Sequence, residues 1–190
     1  FTDVVNAIKH SIDLTVPMIA MLGRDQDRVL LRWGSTADLD LWVDAKFEVQ
    51  QVNGFQGSSS YIGWRSRTSV YGDSEITLDV DHPDGTLGPE TTRFESLAAG
   101  VFQVWVHHFD GRFTTEDVSA MPASVDVFCA DCTDDDGQKV VGRVTTVTQV
   151  AADLPSGGAI WWNVGEFVRT GGETQWYTCT SNCYSEHRQG

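Results

Sequence analysis

Two short stretches of the chain place carboxylates on alternate residues. The first, residues 31–44, reads LRWGSTADLDLWVD, and the second, residues 76–81, reads ITLDVD. Successive side chains of an extended chain point to opposite faces, so each stretch presents one apolar face and one acidic face. The apolar faces hold Leu39, Leu41, Val43, Ile76, Leu78 and Val80, and the opposite faces hold Asp38, Asp40, Trp42, Asp44, Thr77, Asp79 and Asp81.

If these two strands lie close together in one sheet, four carboxylates gather at one place. Like charges at that density repel each other and raise each other's pKa unless a cation lies among them. Calcium accepts six to eight oxygen ligands from strand ends and loops, so nearby turn and loop acids can contribute. We therefore predict a Ca²⁺ site formed from some of Asp38, Asp40, Asp79, Asp81, Asp84 and Glu90.

Two other interpretations of the same acids stay open. They are equally compatible with solvated strand positions and turn-forming aspartates whose oxygens accept backbone N–H groups. A third interpretation uses two of them as the acid pair of a glycosidase, although nothing in the sequence fixes the separation that such a pair needs.

The four cysteines fall in two close pairs. Cys129 and Cys132 are separated by two residues, and Cys179 and Cys183 by three. Two such pairs fit either a Cys₄ zinc site or two disulfides. Disulfides suit a secreted, acidic β domain better, so we expect the cysteines to be oxidised, with three connectivities open.

Aromatic pairs near the end of the chain offer a third kind of site. Trp161, Trp162, Trp176 and Tyr177 could form a platform that stacks against sugar rings, although core packing explains at least one member of each pair. The neighbouring His107 and His108 point to opposite faces of a strand, so at most one of them can face any site. A sheet histidine with an ordinary hydrogen bond is the simpler expectation for either.

Composition limits the class of protein. The 190 residues are 41% hydrophobic and carry seven Trp, which is typical of a globular domain. The net charge of −14 argues against a nucleic-acid partner, because phosphate binding requires clustered Lys and Arg. No run reaches the roughly 18 apolar residues that a membrane span requires. The expected localisation is extracellular or at the cell surface, with any secretion signal removed before Phe1.

The order of patterns predicts an all-β fold. Residues 3–12 have the spacing of a short amphipathic helix, and residues 1–23 form an N-terminal helix and apolar segment ahead of a domain at 24–190. Eight or so short strands at regular intervals indicate an antiparallel β-sandwich, either jelly-roll or Ig-like. We expect the apolar segment from Ala159 to pack back onto this sandwich and the disulfides to lie in its C-terminal part.

Three motifs carry a family resemblance over about residues 29–111. They are DLDLWV at 38–43, LDVD at 78–81 with GPE at 88–90, and AGVFQVWVHHF at 99–109. In order and spacing they resemble the YfaP-like family of uncharacterised secreted domains, although Trp42 stands where a His is usual. The Asp-Leu-Asp strand also resembles the calcium strand of TerD-type domains. The resemblance implies an extracellular β module without established enzymatic activity.

These patterns favour a secreted or cell-surface module that has a structural, adhesive or assembly role and is stabilised by calcium. We do not expect it to be an enzyme. Its expected partners are proteins, either copies of itself or other extracellular subunits, or a surface glycan. The alternative is a carbohydrate-binding module, and a glycosidase-like hydrolase is the third choice. The sequence does not identify the partner or the oligomeric state.

Overall fold

A computed structural model describes residues 26–48, 59–109, 123–133, 139–149 and 161–185. The predicted helix at 3–12, with the rest of the 1–23 segment, lies outside these residues. Within them the regular secondary structure is β-strand apart from one short 3₁₀ helix, η1. No helix in this part of the chain is long and apolar enough to cross a membrane.

The strand boundaries follow the alternation of apolar and polar residues. Most predicted strands are present, and the tight loop after the second acidic stretch contains η1, Gly85–Leu87. The strands are β1 Asp27–Arg32, β2 Leu39–Phe47, β3 Ser59–Ile62, β4 Thr68–Tyr71, β5 Ser74–Val80, β6 Glu90–Glu95, β7 Gly100–His108, β8 Ser124–Thr133, β9 Lys139–Thr148, β10 Trp161–Thr170, β11 Glu173–Thr178 and β12 Tyr184–Ser185.

The strands form two layers that share one core. One layer has the order β3-β2-β7-β10-β11, and the other has the order β8-β1-β6-β5-β4, with β12 beside β10 and β9 beside β8. The layers join where β11 runs parallel to β8, through Thr174 opposite Cys132 and Gln175 opposite Thr133. The other strand pairs are antiparallel, so the predicted all-β, mainly antiparallel architecture is confirmed.

The core lies between the layers and uses most of the predicted apolar faces. Leu39, Leu41 and Val43 are buried, as are Ile76 and Leu78. Val80, predicted to share the apolar face of Ile76 and Leu78, is only partly buried, because the β5–β6 register shifts between Leu78 and Val80. Burial of each large apolar side chain stabilises the fold by about 1.5–3 kcal/mol.

Aromatic contacts cross the core from one layer to the other. The ring of Phe94 in β6 lies 6.4 Å from the ring of Phe102 in β7 and 5.2 Å from that of Phe167 in β10. Edge-to-face pairs of this kind add to the stabilisation from burial. These contacts show that β6 faces β7 and β10 across a shared interior.

The C-terminal strands complete the first layer. β10 lies between β7 and β11 and pairs with both over most of its length. Its inward residues Trp162, Val164 and Phe167 are buried in the core. The prediction that this segment packs onto the sandwich is therefore confirmed.

Both cysteine pairs form local disulfides. Cys129 bonds to Cys132 with Cα atoms 5.5 Å apart, and Cys179 bonds to Cys183 with Cα atoms 5.9 Å apart. The first disulfide spans an irregularity in the pairing of β8 with β9 and is fully buried. The second connects the end of β11 to the residues that precede β12. This pairing answers the connectivity question left by the sequence and does not bring four sulfur atoms together for zinc.

We expect the two disulfides to be reduced in a fixed order. A thiolate reductant needs access to sulfur, and Cys179 and Cys183 are partly exposed whereas Cys129 and Cys132 are fully buried. Brief treatment of the native protein with dithiothreitol, followed by alkylation and peptide mapping, should label Cys179 and Cys183 first. Simultaneous labelling of all four cysteines under native conditions would contradict this order.

Candidate functional site

Three carboxylates from separate elements converge at one end of the sandwich. Asp40 lies in β2, Asp81 directly follows β5, and Glu90 is the first residue of β6. One oxygen from each can be chosen so that all three lie within 4.8 Å of one another. We call Asp40, Asp81 and Glu90 the acidic triad. It contains three of the six acids predicted for calcium.

Glu90 is the buried centre of this triad, with a relative exposure of 0%. Its Oε2 atom accepts a hydrogen bond from the backbone N–H of Leu41 at 2.7 Å, and its Oε1 atom accepts one from the N–H of His82 at 3.1 Å. β3 pairs with β2 only from Val43 to Lys46, so Leu41 lies beyond that ladder. The carboxylate takes the place that a neighbouring strand would otherwise occupy.

The buried position of Glu90 changes the pKa of its carboxyl group. The pKa of the Glu90 carboxyl is raised to about 9, mainly by burial and to a smaller extent by the nearby Asp40 and Asp81 carboxylates, against the two backbone hydrogen bonds, which lower it. Hydrogen bonds from N–H groups favour the charged form, while burial disfavours it. A proton or a cation shared with the neighbouring carboxylates relieves this conflict.

Asp40 is held by a histidine on the neighbouring strand. Asp40 Oδ2 lies 3.1 Å from His107 Nδ1, and the two residues are directly opposite in the β2–β7 pairing. The His107 ring packs against the Trp161 ring, with centroids 4.2 Å apart. His108 points to the opposite face and is buried, as expected for adjacent strand residues. The expected ordinary hydrogen bond is thus present, and its acceptor is a triad member.

Loop contacts bring the triad strands into position. The Trp33 side chain donates a hydrogen bond to the Ala37 carbonyl at 2.7 Å, closing the turn before β2. Its ring lies so close to Gly85 that a Cβ atom there would come within 2.4 Å, and Gly85 N–H bonds to the Ser35 carbonyl at 3.1 Å. Glycine at 85 therefore lets the η1 loop dock against the β1–β2 turn.

Two of the predicted calcium ligands lie elsewhere. The β5–β6 register shifts between Leu78 and Val80, so the regular alternation that grouped Asp79 with Asp81 is broken. Asp79 Oδ1 lies 3.6 Å from Arg93 Nη2. Partial burial raises the pKa of the Asp79 carboxyl, whereas the positive charge of Arg93 lowers it. Asp84 caps η1 by accepting hydrogen bonds from Thr86, which lower the pKa of its carboxyl. The triad therefore includes neither Asp79 nor Asp84, and their part in a calcium site stays a prediction.

Asp38 lines a pocket above the triad together with two triad members. The pocket has a volume of about 310 Å³ and is lined by Asp38, Asp40, Trp64, Asp81, Pro83 and Phe109. The Trp64 and Phe109 rings meet edge to face, with centroids 5.7 Å apart and an interplanar angle of 87°. No pattern in the sequence marks these two aromatic residues as site residues. The signal available for Phe109 was its place at the end of the strand that also carries His107.

The predicted sugar platform does not form as one surface. Trp162 and Trp176 are only 4% and 6% exposed and belong to the core. Adjacent strand residues face opposite ways, so their neighbours Trp161 and Tyr177 point outward. Tyr177 is exposed, and Trp161 packs against His107 and Trp42. The four side chains are therefore divided between the two faces of the layer.

The raised pKa of Glu90 predicts a pH-dependent stability in the absence of divalent cations. The folded pKa is about 9, whereas an unfolded Glu titrates at about 4.3. Between these values the folded state binds more protons, so the free energy of unfolding should fall as the pH rises from about 4.5 to 9. Urea unfolding in a chelator, measured across this range, checks the direction.

Glu90→Gln provides the control for that titration. The amide retains the shape but opposes one backbone N–H with its own NH₂ group, so the variant should be less stable at low pH. Its stability should nevertheless change less with pH than that of the wild type. Equal slopes in the two proteins would show that other groups cause the dependence.

Comparison with protein families and with curated proteins identifies no relative of this chain. The chain matches no family model, and no curated protein is significantly similar to it. The resemblance to YfaP-like domains therefore rests on the motifs within residues 29–111. Function has to be argued from the site itself.

Proposed function

We propose that this chain is a secreted or cell-surface structural module in which a calcium ion, held by the acidic triad, fastens one end of the β-sandwich. The convergence of Asp40, Asp81 and Glu90 from three elements within 4.8 Å carries the proposal. A cation at this point contacts both layers, because β2 belongs to one and β5 and β6 belong to the other. Its binding energy would then oppose separation of the layers.

The chemistry of the triad suits a hard cation. All three side chains offer carboxylate oxygens, and calcium accepts such oxygens in flexible arrangements together with backbone carbonyls and water. Zinc and copper prefer nitrogen or sulfur ligands, and His107 uses its Nδ1 atom to hold Asp40. A ligand that is oriented by a second residue in this way loses less freedom on binding a metal.

The extracellular assignment rests on the two disulfides, the net charge and the resemblance to YfaP-like domains. Two local disulfides are characteristic of oxidising compartments. The net charge of −14 favours divalent cations over anionic partners. Extracellular calcium modules bind the ion with dissociation constants of about 10⁻⁴–10⁻³ M, which a site with only three carboxylates can supply. The resemblance to YfaP-like domains supports the same environment.

A structural or adhesive role is supported by exposed apolar residues at the ends of the strand path. Tyr61 in β3 and Val70 in β4 are exposed, and these strands end the path among the described residues. Edge strands and exposed apolar side chains provide surfaces for association with another copy or another extracellular protein. The choice between a jelly-roll and an Ig-like arrangement does not affect this proposal.

No particular observation favours a hydrolase. Glycosidases need two accessible carboxyl groups about 5–5.5 Å or about 6.5–9.5 Å apart. Glu90 is fully buried and bound to two backbone N–H groups, so it is poorly placed to reach a glycosidic bond. We therefore propose a binding and structural role for the triad instead of an enzymatic one.

Calcium should stabilise the folded protein more than sodium chloride of equal ionic strength. Binding to the folded state alone adds about 2.7 kcal/mol at a hundredfold excess over the dissociation constant, so the thermal midpoint should rise with calcium and return with chelator. Asp81→Asn removes one triad charge and should abolish most of this response. Thermal unfolding followed by tryptophan fluorescence provides the measurement.

Asp79→Asn is the matched control, because it makes the same change two residues earlier, beside Arg93. This variant should keep the full calcium response. Wild-type curves that superimpose in the two salts would exclude a specific site. Equal losses in both variants would show that calcium acts on the general acidity of the surface.

A further inference from the structure

We propose that the pocket above the triad binds the ring of a sugar, with two hydroxyl groups completing the coordination of the calcium ion and one ring face packing against Phe109. This inference rests on the proposed calcium site. It assigns a ligand class to a pocket that an ion alone does not fill. The recognised group would be a terminal pyranose of a surface glycan.

The size of the pocket is the first argument. Its volume of about 310 Å³ is about ten times the volume of liquid that one water molecule occupies. Pockets for small organic ligands begin at about 300 Å³. A hydrated ion at the triad therefore leaves room for a small organic molecule.

The distribution of charge is the second argument. An organic ammonium group would compete with calcium for the same carboxylates. Once a divalent cation lies between Asp40, Asp81 and Glu90, the remaining charged group in the lining is Asp38, and Trp64, Pro83 and Phe109 are uncharged. A neutral ligand with hydroxyl donors and an apolar face matches this remainder, because a carboxylate accepts hydroxyl hydrogens and calcium accepts neutral oxygens.

The aromatic wall is the third argument. The Phe109 side chain is 52% exposed although it follows a buried strand, and its backbone N–H is fixed by the Asp38 carbonyl at 3.0 Å. Trp64 stands perpendicular to it and carries the Arg65 guanidinium over its own ring, 4.5 Å from the centroid. Phe109 thus presents an apolar surface beside the triad at a fixed place, and burial of that surface by a sugar face is favourable.

The test measures calcium and sugar binding separately in the full chain. Isothermal titration calorimetry with the methyl glycosides of glucose, galactose, mannose and fucose is carried out with excess calcium and again with chelator. We expect at least one glycoside to bind with calcium and none to bind with chelator. Phe109→Ala should weaken that binding by about tenfold or more, while the calcium-induced rise in thermal midpoint stays unchanged.

Two further variants make the result decisive. Phe109→Leu keeps apolar bulk and serves if the alanine variant fails to fold; it should bind the sugar more weakly than wild type and keep the calcium response. Tyr177→Ala truncates an equally exposed aromatic residue outside the pocket and should bind the sugar normally. Loss of sugar binding in Tyr177→Ala alone would place the sugar on the other aromatic surface and overturn the inference.

The remaining outcomes are also distinguishable. A protein that responds to calcium but binds none of the glycosides overturns the inference and leaves the proposed function intact. Equal glycoside binding with calcium and with chelator overturns the calcium-mediated mode. Tight binding of methylammonium in chelator, without glycoside binding in calcium, identifies an amine pocket instead. Absence of any calcium response overturns the proposed function and this inference together.

Discussion

The buried carboxylate of Glu90 is the constraint around which one end of this sandwich is arranged. It stands at the start of β6 and accepts hydrogen bonds from Leu41 in β2 and from His82 after β5. The bond from Leu41 connects the two layers, and β2 and β6 share no ladder among the described strands. The bond from His82 holds the end of β5 against β6 within the second layer. Because burial and neighbouring acids raise its pKa, the same group that joins the layers also creates a demand for positive charge.

The contacts around Glu90 hold the other acidic side chains and the pocket residues in place for binding a cation. His107 orients the Asp40 carboxylate, and Trp33 over Gly85 fixes the loop that leads from β5 to Glu90. The backbone N–H of Phe109 donates a hydrogen bond to the Asp38 carbonyl, so these two lining residues are held at a fixed separation. A strongly acidic site is thus built mostly from rigid strand ends and short turns, which favours precise placement of oxygen ligands.

The sequence was sufficient for the layers and for part of the site. Alternation correctly placed Leu39, Leu41 and Val43 in the core and Asp40 on the opposite face, because one buried face fixes strand register. It failed at Val80, which is only partly buried because the β5–β6 register shift interrupts the period of two. No local pattern signals such a shift, since it depends on pairing with β6.

The site required contacts between residues far apart in the chain, and these set the limit of prediction. Glu90 was included among the candidate ligands, but its burial against Leu41 follows from the packing of β6 across from β2. The aromatic pairs show the same limit in another form. Alternation requires Trp161 and Trp162 to face opposite sides, yet only the tertiary structure shows that Trp162 is the core residue.

The position of β10 also affects how the chain folds during synthesis. β7 ends at His108, and its partner β10 begins at Trp161, so at about 5–20 residues per second the ribosome needs roughly 3–10 s to supply the strand that covers this edge. The first layer cannot close until β10 has emerged, so this edge of β7 stays without its native partner strand for that time.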